Sequence, residues 1–525
     1  MLWVNRTPQS TRSTPGVRRW GPGGARAFVA ALALVAIATA TLLRAGVAPF
    51  GSDATTALAI VLIAAVTLAN LTRLGTHAFA PSTLFMAALA VFHLGMIASV
   101  AAGLDEPPFW LAALSERSVA AALLAIVLAF ACLEIGLVLG WGSTRPRPPS
   151  LRPIPTAPQT ASALHGGGLA AAAIAVAAAV ANLATIGFDR FFEASYGYEL
   201  YATTDSRLLQ MGFFWLLPAA SLVCFAGARR GREARRALAL VATTTGLLLC
   251  AGDRGGAISL LSGALVVWTT TRGPLPRRIA VGAALAVLVL VPTIAAIRQL
   301  PRNAVDLASI RDAASAASPL AALTEMGATF RPLVETMRLV PEAEPYRLGR
   351  TYLAAALRVL PNLGLSRADD DWRDPDELPP NTWITYTVAP WTFAAYGGLG
   401  YSAVAEPYLN FGVLGIATYF LALGVALGRF EVRFAQTPSR RMVALAAVIF
   451  MSFLLTVRND VQNFIRPAVW AIGLIALIEV VHGGRSVRRR APFPRGALGA
   501  RAARPAARSD AATAAHAGTL ARGVA

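Results

Sequence analysis

Apolar stretches long enough to cross a lipid bilayer recur from one end of this chain to the other. A helix of roughly 20 residues spans the hydrocarbon core of a membrane. The chain has twelve stretches near that length or somewhat shorter, at residues 27–43, 54–71, 78–103, 118–141, 167–188, 212–228, 237–251, 257–271, 279–297, 405–428, 442–457 and 467–483. Because lipid cannot hydrogen-bond the backbone, each stretch is predicted to be an α-helix. The predicted fold class is therefore all-α, a polytopic membrane protein of about 12 transmembrane helices.

The composition argues against a water-soluble domain that carries a single membrane anchor. Of the 525 residues, 56% are hydrophobic and only 14% are charged, and apolar runs alternate with arginine clusters along the whole chain. A chain of this length with so little charge would not stay in solution. The composition favours one membrane domain with lipid as its main solvent.

The formal net charge of +19 comes from arginine blocks that lie between the apolar stretches. No aromatic-plus-basic module surrounds these blocks, which argues against a nucleic-acid partner. When the N-terminus is placed in the cytoplasm, the short blocks all fall on the cytoplasmic side, as the positive-inside rule requires. They are residues 145–152, 229–236, 272–278, 433–441 and 488–490. This agreement predicts a multi-pass protein with both termini in the cytoplasm.

This orientation leaves one long segment, residues 298–400, on the periplasmic or extracellular face. Apolar residues between Leu323 and Met337, and again between Tyr352 and Leu360, recur at helical spacing, so two short helices are predicted to lie on the membrane and cap a cavity. The predicted organisation is a basic cytoplasmic N-terminus (1–26), nine helices (27–297), the outer loop (298–400), three helices (401–483) and a disordered basic tail (484–525).

The three cysteines do not indicate a disulfide framework or a metal site. Cys132, Cys224 and Cys250 all fall inside or at the end of apolar stretches, where a cysteine behaves as a small hydrophobic residue. His93 and Glu134 also lie within predicted spans, where hydrogen bonding inside the bundle is the expected role.

Polar residues at the outer ends of the helices are the candidates for chemistry, because a polar group at membrane depth is costly unless it faces a cavity or a partner. The first cluster is the turn at 252–256, which is either a hairpin turn with Asp253 paired to Arg254 or a place where Arg254 binds an anionic group. The second cluster is Arg298 and Arg302. They are either interfacial flanking charges or functional residues, since positive charges on the outer side are unusual under the positive-inside rule.

Two further clusters lie near the last three predicted spans. The glycine-rich stretch 397–412 carries Glu406, Tyr408 and Asn410 into a span, and the simpler alternative for Glu406 is an ion pair with an outer arginine. The turn at 458–466 holds Arg458, Asp460 and Arg466, for which the alternative is an Arg458–Asp460 pair with Arg466 extended to the interface.

Taken together, these residues resemble the O-antigen polysaccharide polymerases, also called oligosaccharide repeat-unit polymerases (Wzy-like), over roughly residues 180–480. The resemblance is carried by residues of the outer segment and of the glycine-rich entry into the tenth span. They are Glu325-Met326-Gly327, Arg331, Thr336, Pro341, Tyr346, Gly349, Thr351-Tyr352, Pro361, Gly400-Tyr401-Ser402, Glu406, Tyr408 and Asn410-Phe411-Gly412.

The resemblance implies an inverting, metal-independent glycosyltransferase without a cofactor in the bacterial cytoplasmic membrane. Such an enzyme transfers a growing glycan from undecaprenyl diphosphate to the next lipid-linked repeat unit, for O-antigen, capsule or exopolysaccharide. Its partners would be undecaprenyl-diphosphate-linked oligosaccharides, membrane lipids, and a flippase and a chain-length regulator.

A diphosphate leaving group needs cations, and an acceptor hydroxyl needs a positioned base. Glu406 is the first candidate for the base, with Glu325 and Asp460 as reserves. The candidate residues for binding substrate and diphosphate are Arg254, Arg298, Arg302, Arg331, Tyr408, Asn410, Arg458 and Arg466.

Two other functions are compatible with the hydropathy. A lipid-linked oligosaccharide flippase or polysaccharide transporter would have a similar number of spans, but the two halves show no internal repeat. The related O-antigen ligases rely on a histidine in their large outer loop, and residues 298–400 contain none. Asp369, Asp370 and Asp371 resemble the metal-binding aspartates of nucleotide-sugar transferases, but they lie on the outer face, so a solvated loop is the better interpretation and no metal is predicted.

Overall fold

The computed structural model describes a bundle of α-helices. It covers residues 22–47, 51–69, 80–142, 158–187, 210–251, 253–273, 275–276, 278, 282, 293, 308, 311–312, 319–359, 378–395, 397–436 and 439–490. Within these residues there is no β-strand, so the all-helical prediction is confirmed for the described part of the chain. Residues up to Val481 pack as one unit.

The described helices are numbered here in chain order. They are α1 (Pro22–Arg44), α2 (Ser52–Ala69), α3 (Pro81–Ala101), α4 (Phe109–Ala112), α5 (Glu116–Trp141), α6 (Pro158–Ile186), α7 (Leu217–Gly227, preceded by a π-helical turn Gln210–Leu216), α8 (Arg232–Cys250), α9 (Arg254–Thr271), α10 (Pro319–Gly327), α11 (Phe330–Leu339), α12 (Arg350–Leu357), α13 (Pro380–Val388), α14 (Pro390–Ala394), α15 (Ala405–Gln436), α16 (Arg440–Leu454) and α17 (Gln462–Arg490).

Among the described residues, seven helices are long and apolar enough to cross a membrane. They are Gly23–Arg44, Pro81–Ala101, Glu116–Trp141, Gln159–Ile186, Ala405–Gln436, Arg440–Val457 and Gln462–His482. Helices also occupy the predicted stretches 54–71, 212–228, 237–251 and 257–271, although these helices are shorter or less apolar. The predicted stretch 279–297 lies almost entirely outside the described residues.

Two pairs of glycines allow the backbones of α5 and α15 to pack very close together. Gly136 and Gly140 of α5 face Gly424 and Gly428 of α15, and a Cβ added at Gly424 would overlap the Leu133 carbonyl oxygen. Small residues spaced four apart allow two helix backbones to approach closely, which is a common basis for helix association in lipid. This contact makes α5, which is almost completely buried, the centre of the bundle.

Short helices gather at one end of the bundle, here called the capped end. This end comprises α10–α14 and the helix termini they meet, namely the end of α3, the starts of α5, α9 and α15, and the turn between α16 and α17. Thr324 of α10 donates to Asp105 just beyond α3, and the Tyr401 amide donates to the Arg458 carbonyl at 2.7 Å. The predicted helix over 323–337 is divided into α10 and α11, and Gly327 at the end of α10 packs directly against the Met96 backbone.

The opposite end of the bundle contains a buried carboxylate with its own partners. Glu431 of α15 accepts hydrogen bonds from the Ser82 amide at the start of α3 and from the Trp141 indole at the end of α5, both at 2.9 Å. Arg440 donates to the Ala226 and Ala228 carbonyls at the end of α7. These bonds satisfy helix termini that would otherwise be left unpaired away from water.

Candidate functional site

A cavity of about 660 Å³, here called the first cavity, lies at the capped end. Its walls come from the start of α9, from α10, from α13, from the turn between α16 and α17, and from the π-helical turn before α7. Its charged and amide side chains are Asp253, Arg254, Glu325, Asn381, Arg458, Asn459, Gln462, Asn463 and Arg466. The structure therefore brings together three of the predicted anion-binding arginines from two distant parts of the sequence.

Arg254 enters the first cavity because the turn before it is the N-terminus of a helix. Asp253 is the N-cap of α9, and its carboxylate accepts a hydrogen bond from the Gly256 amide at 2.8 Å. The Arg254 guanidinium donates to the Glu325 carboxylate at 2.5 Å, and the two side chains are 13% and 31% exposed. The predicted turn at 252–256 is thus a helix start, and it presents a cation and its counter-ion to the cavity.

Arg458 and Arg466 reach the first cavity from the turn between α16 and α17. The guanidinium of Arg466 lies 4.7 Å from the centre of the Trp215 ring, a cation–π contact, and its buried Nε has no hydrogen-bond partner among the described residues. The carbonyl of Arg458 accepts from Tyr401, and a Cβ at Gly400 would lie 2.8 Å from that carbonyl oxygen. Gly400 also has φ +73°, so both its space and its conformation favour glycine.

Asp460 stabilises this turn and is not among the residues that line the cavity. It is fully buried, and its carboxylate accepts from the Asn381 amide at 3.3 Å and from the Asn463 side chain at 2.8 Å. Burial raises the pKa of Asp460, while these hydrogen bonds act in the opposite direction. The carboxylate therefore fixes Asn381 and Asn463, two amides that do line the cavity.

Glu406, the first sequence candidate for a base, is buried behind the cavity wall. Its side chain is only 4% exposed, and its two carboxylate oxygens accept from the Thr351 hydroxyl at 2.9 Å and from the Val461 amide at 2.7 Å. Asn410 joins the same network, since it donates to Thr351 and to the Glu406 carbonyl and accepts from the Gly349 amide. Neither Glu406 nor Asn410 lines the first cavity, and together they tie α12 and the 458–461 turn to α15.

The remaining sequence candidates lie elsewhere. Tyr408 lines a second cavity at the capped end, and its hydroxyl donates to the Val340 carbonyl at 3.2 Å. Arg331 is half-buried against the Trp110 ring, burial lowers its pKa, and it does not line the first cavity. Arg298, Arg302 and the aspartates Asp369, Asp370 and Asp371 lie outside the described residues.

Several cavity residues had no assigned role in the sequence. Trp215 and Asn381 belong to segments without a recognisable motif, and only proline at 379 and 380 marked the start of α13 as a helix N-terminus. His93, expected to bond within the bundle, does so: its Nε2 lies 2.7 Å from the Ser402 hydroxyl, which in turn accepts from the Val404 and Ala405 amides at the start of α15.

The first cavity has the chemistry of a site for an anion with several oxygens. Three guanidinium groups and four side-chain amides face it, against the carboxylates of Asp253 and Glu325. Guanidinium groups bind phosphate oxygens strongly, more so where water is partly excluded. Among the described residues, no group of three His, Cys, Asp or Glu side chains is arranged to hold a metal ion.

One comparison with known proteins gives a match. A family model described as O-antigen polysaccharide polymerase Wzy matches residues 28–489, which is most of the chain. No curated protein and no solved structure matches the chain.

Proposed function

The chain belongs to the O-antigen polysaccharide polymerase family, and on that premise we propose that it polymerises undecaprenyl-diphosphate-linked repeat units at the outer face of the bacterial cytoplasmic membrane. The observation that carries this proposal is the convergence of Arg254, Arg458 and Arg466 on one cavity at the capped end. A diphosphate leaving group develops negative charge as its bond to the sugar breaks, and preorganised cations stabilise that charge most where water is scarce.

The proposed reaction is a single displacement with inversion. The acceptor hydroxyl gives its proton to a carboxylate, its oxygen forms a bond to the anomeric carbon of the growing glycan, and the bond from that carbon to the diphosphate breaks. The electron pair of the broken bond leaves with undecaprenyl diphosphate, whose phosphate oxygens are held by the arginines. In this scheme the cations take the role that a metal ion plays in other transferases, so no metal is required.

We assign the base to Glu325 ahead of Glu406 and Asp460. Glu325 lines the cavity and is 31% exposed on its side chain, whereas the other two are buried and accept hydrogen bonds from neighbouring groups. A base must come within hydrogen-bond reach of the proton that it removes. Because Glu325 is paired with Arg254, a diphosphate that binds Arg254 would free the carboxylate for the acceptor hydroxyl.

The proposed topology has about twelve transmembrane helices, both termini in the cytoplasm, and the capped end outside. Arginines at the described helix ends support this orientation, since they lie at the end of the bundle opposite to the first cavity. They are Arg229, Arg230, Arg232, Arg235, Arg236, Arg272, Arg433, Arg440 and Arg441. The proposed partners are the flippase that delivers the repeat units and a protein that regulates chain length.

The function is tested by resolving lipid-linked glycans on gels from cells that lack this chain and are complemented with variants. Replacing Arg254, Arg458 or Arg466 with alanine should leave single repeat units in place of polymer. Arg350→Ala is the matched control, because Arg350 is an exposed arginine of the capped end that lines neither cavity. Normal polymer from all three variants, at normal abundance of the protein in the membrane, would overturn the proposed site.

A further inference from the structure

The second cavity, of about 810 Å³, lies at the capped end beside α1, α5, α11 and the first turns of α15. Its charged side chains are Arg44 at the end of α1, Arg117 at the start of α5, and Arg338 and Glu342 around the end of α11. All four side chains are exposed to solvent in the structure. Arg117 donates to the Gly46 carbonyl, and Arg338 is paired with Glu335 at 2.9 Å. The rim of this cavity is therefore cationic.

The floor of the second cavity is apolar and adjoins exposed apolar residues of two candidate membrane helices. Leu42 and Leu43 of α1 and Val413 and Leu414 of α15 line it, and Leu414 is 68% exposed. Both helices are long and apolar enough to cross a membrane, and in the proposed topology their exposed apolar sides face acyl chains. A break in α15, where Phe411 is non-helical and Gly412 has φ +63°, bends the chain at this point. A cationic rim above an apolar floor suits an amphiphile with an anionic headgroup.

One continuous stretch of chain runs from the first cavity to the second. Gly398 lines the first cavity, while Tyr408 and Gly412 line the second. Between them, Ser402 and Glu406 are buried and hydrogen-bonded within the protein. The stretch 398–412, here called the wall, thus forms part of the packed protein between the cavities, and it includes residues that carry the family resemblance.

We propose that the second cavity binds the diphosphate and the first isoprene units of the acceptor, the lipid-linked repeat unit that receives the growing glycan. The inference rests on the proposed function. An acceptor reacts at the end of its glycan that is farthest from its lipid, so a whole repeat unit lies between its reacting hydroxyl and its diphosphate. The two diphosphates of a reacting pair therefore need separate sites on the same face of the membrane.

The charges favour this assignment of donor and acceptor. The donor diphosphate gains charge as it leaves, and it fits the half-buried arginines of the first cavity, where electrostatic stabilisation is strongest. The acceptor diphosphate does not change its charge during the reaction. Exposed arginines above an apolar floor are sufficient to hold such a group in place.

The test is the number of lipids bound by the purified full-length protein in native mass spectrometry, with undecaprenyl diphosphate as the probe. The wild type should bind two molecules. The double variant Arg44→Ala/Arg117→Ala should bind one, and so should Ala121→Trp, which fills the second cavity without changing its charge. Arg254→Ala/Arg458→Ala should also bind one, and Arg350→Ala should bind two.

Three outcomes would overturn the inference: one molecule on the wild type, two on both second-cavity variants, or displacement of the second molecule by phosphatidylglycerol at equal concentration. The last outcome would identify an ordinary phospholipid site. Binding and polymer synthesis are measured separately, so the two proposals can fail independently. If the wild-type protein binds two molecules but makes no polymer in cells, the proposed function is contradicted and the two binding sites remain supported. Polymer synthesis with one bound molecule would contradict the second site alone.

Discussion

At the scale of single residues, the Arg254–Glu325 ion pair joins a proposed diphosphate-binding residue to the proposed general base. The two side chains are 71 positions apart in sequence and meet at 2.5 Å on the wall of the first cavity. Each partner thereby helps to fix the position of the other on the cavity wall. In the proposed mechanism, a diphosphate that competes for Arg254 uncovers the Glu325 carboxylate for deprotonation of the acceptor hydroxyl.

Glu325→Gln should slow polymerisation by about 100-fold to 10,000-fold, the usual contribution of a general base. Binding of undecaprenyl diphosphate should be retained, because the amide oxygen still accepts from Arg254 and the cations are unchanged. The rate is measured as polymer formed in membrane vesicles from cells that supply the lipid-linked repeat unit. Glu106→Gln, at an exposed carboxylate of the capped end, is the control. A normal rate for Glu325→Gln would exclude Glu325 as the base.

Glu406→Gln should instead lower the stability of the protein. One of its two oxygens becomes an amide nitrogen, which faces either the Val461 amide or the Thr351 hydroxyl, and an unsatisfied buried donor costs about 1–3 kcal/mol. The midpoint of thermal unfolding of the purified protein should fall, and Thr351→Val should lower it as well. An unchanged midpoint together with a complete loss of polymer would restore Glu406 as the base, as the sequence suggested.

At the scale of elements, hydropathy predicts where the helices lie better than where they begin. The predicted stretch 237–251 belongs to α8, but α8 begins at Arg232. Hydropathy does not detect this start, since the first turn of the helix consists largely of charged residues. Hydropathy does not predict α13 and α14 of the capped end, because both helices are too short for apolar residues to recur over several turns. Hydropathy also did not show that Glu406 is enclosed, since both of its partners lie 55 residues away in sequence.

The contact between α5 and α15 should be intolerant of side chains larger than glycine. In Gly424→Val the new side chain would overlap the Leu133 carbonyl and the Gly136 backbone, and forcing extra atoms into such a contact costs about 1–3 kcal/mol or more. The expected result is a lower unfolding midpoint and less protein in the membrane. Gly473→Ala is the control, because no atom lies within 4 Å of its added Cβ. Equal stability of the two variants would show that α5 and α15 can move apart to accommodate the larger side chain at little cost.

At the scale of the whole molecule, the proposed function requires the capped end to face away from the cytoplasm. In a Cys250→Ser background, which removes the exposed native cysteine, a cysteine at Ala343 should react with a membrane-impermeant maleimide in spheroplasts. A cysteine at Arg235, at the opposite end of the bundle, should react only after lysis. The reverse pattern would place both cavities on the cytoplasmic side and would contradict polymerisation at the outer face.

In the proposed mechanism, the wall formed by residues 398–412 has a consequence for the length of the polymer. After each transfer, the lengthened glycan hangs from the lipid whose headgroup lies on the acceptor side of the wall, and that lipid must cross to the donor side before the next round. Each new repeat unit is then added at the membrane, next to the lipid anchor. The distal end of the polymer moves away from the site and does not contact the enzyme again. Such an enzyme has no means of measuring the length of its product. Product size then follows from how many crossings occur before the lipid escapes, so a separate protein that alters this escape would be able to set the length.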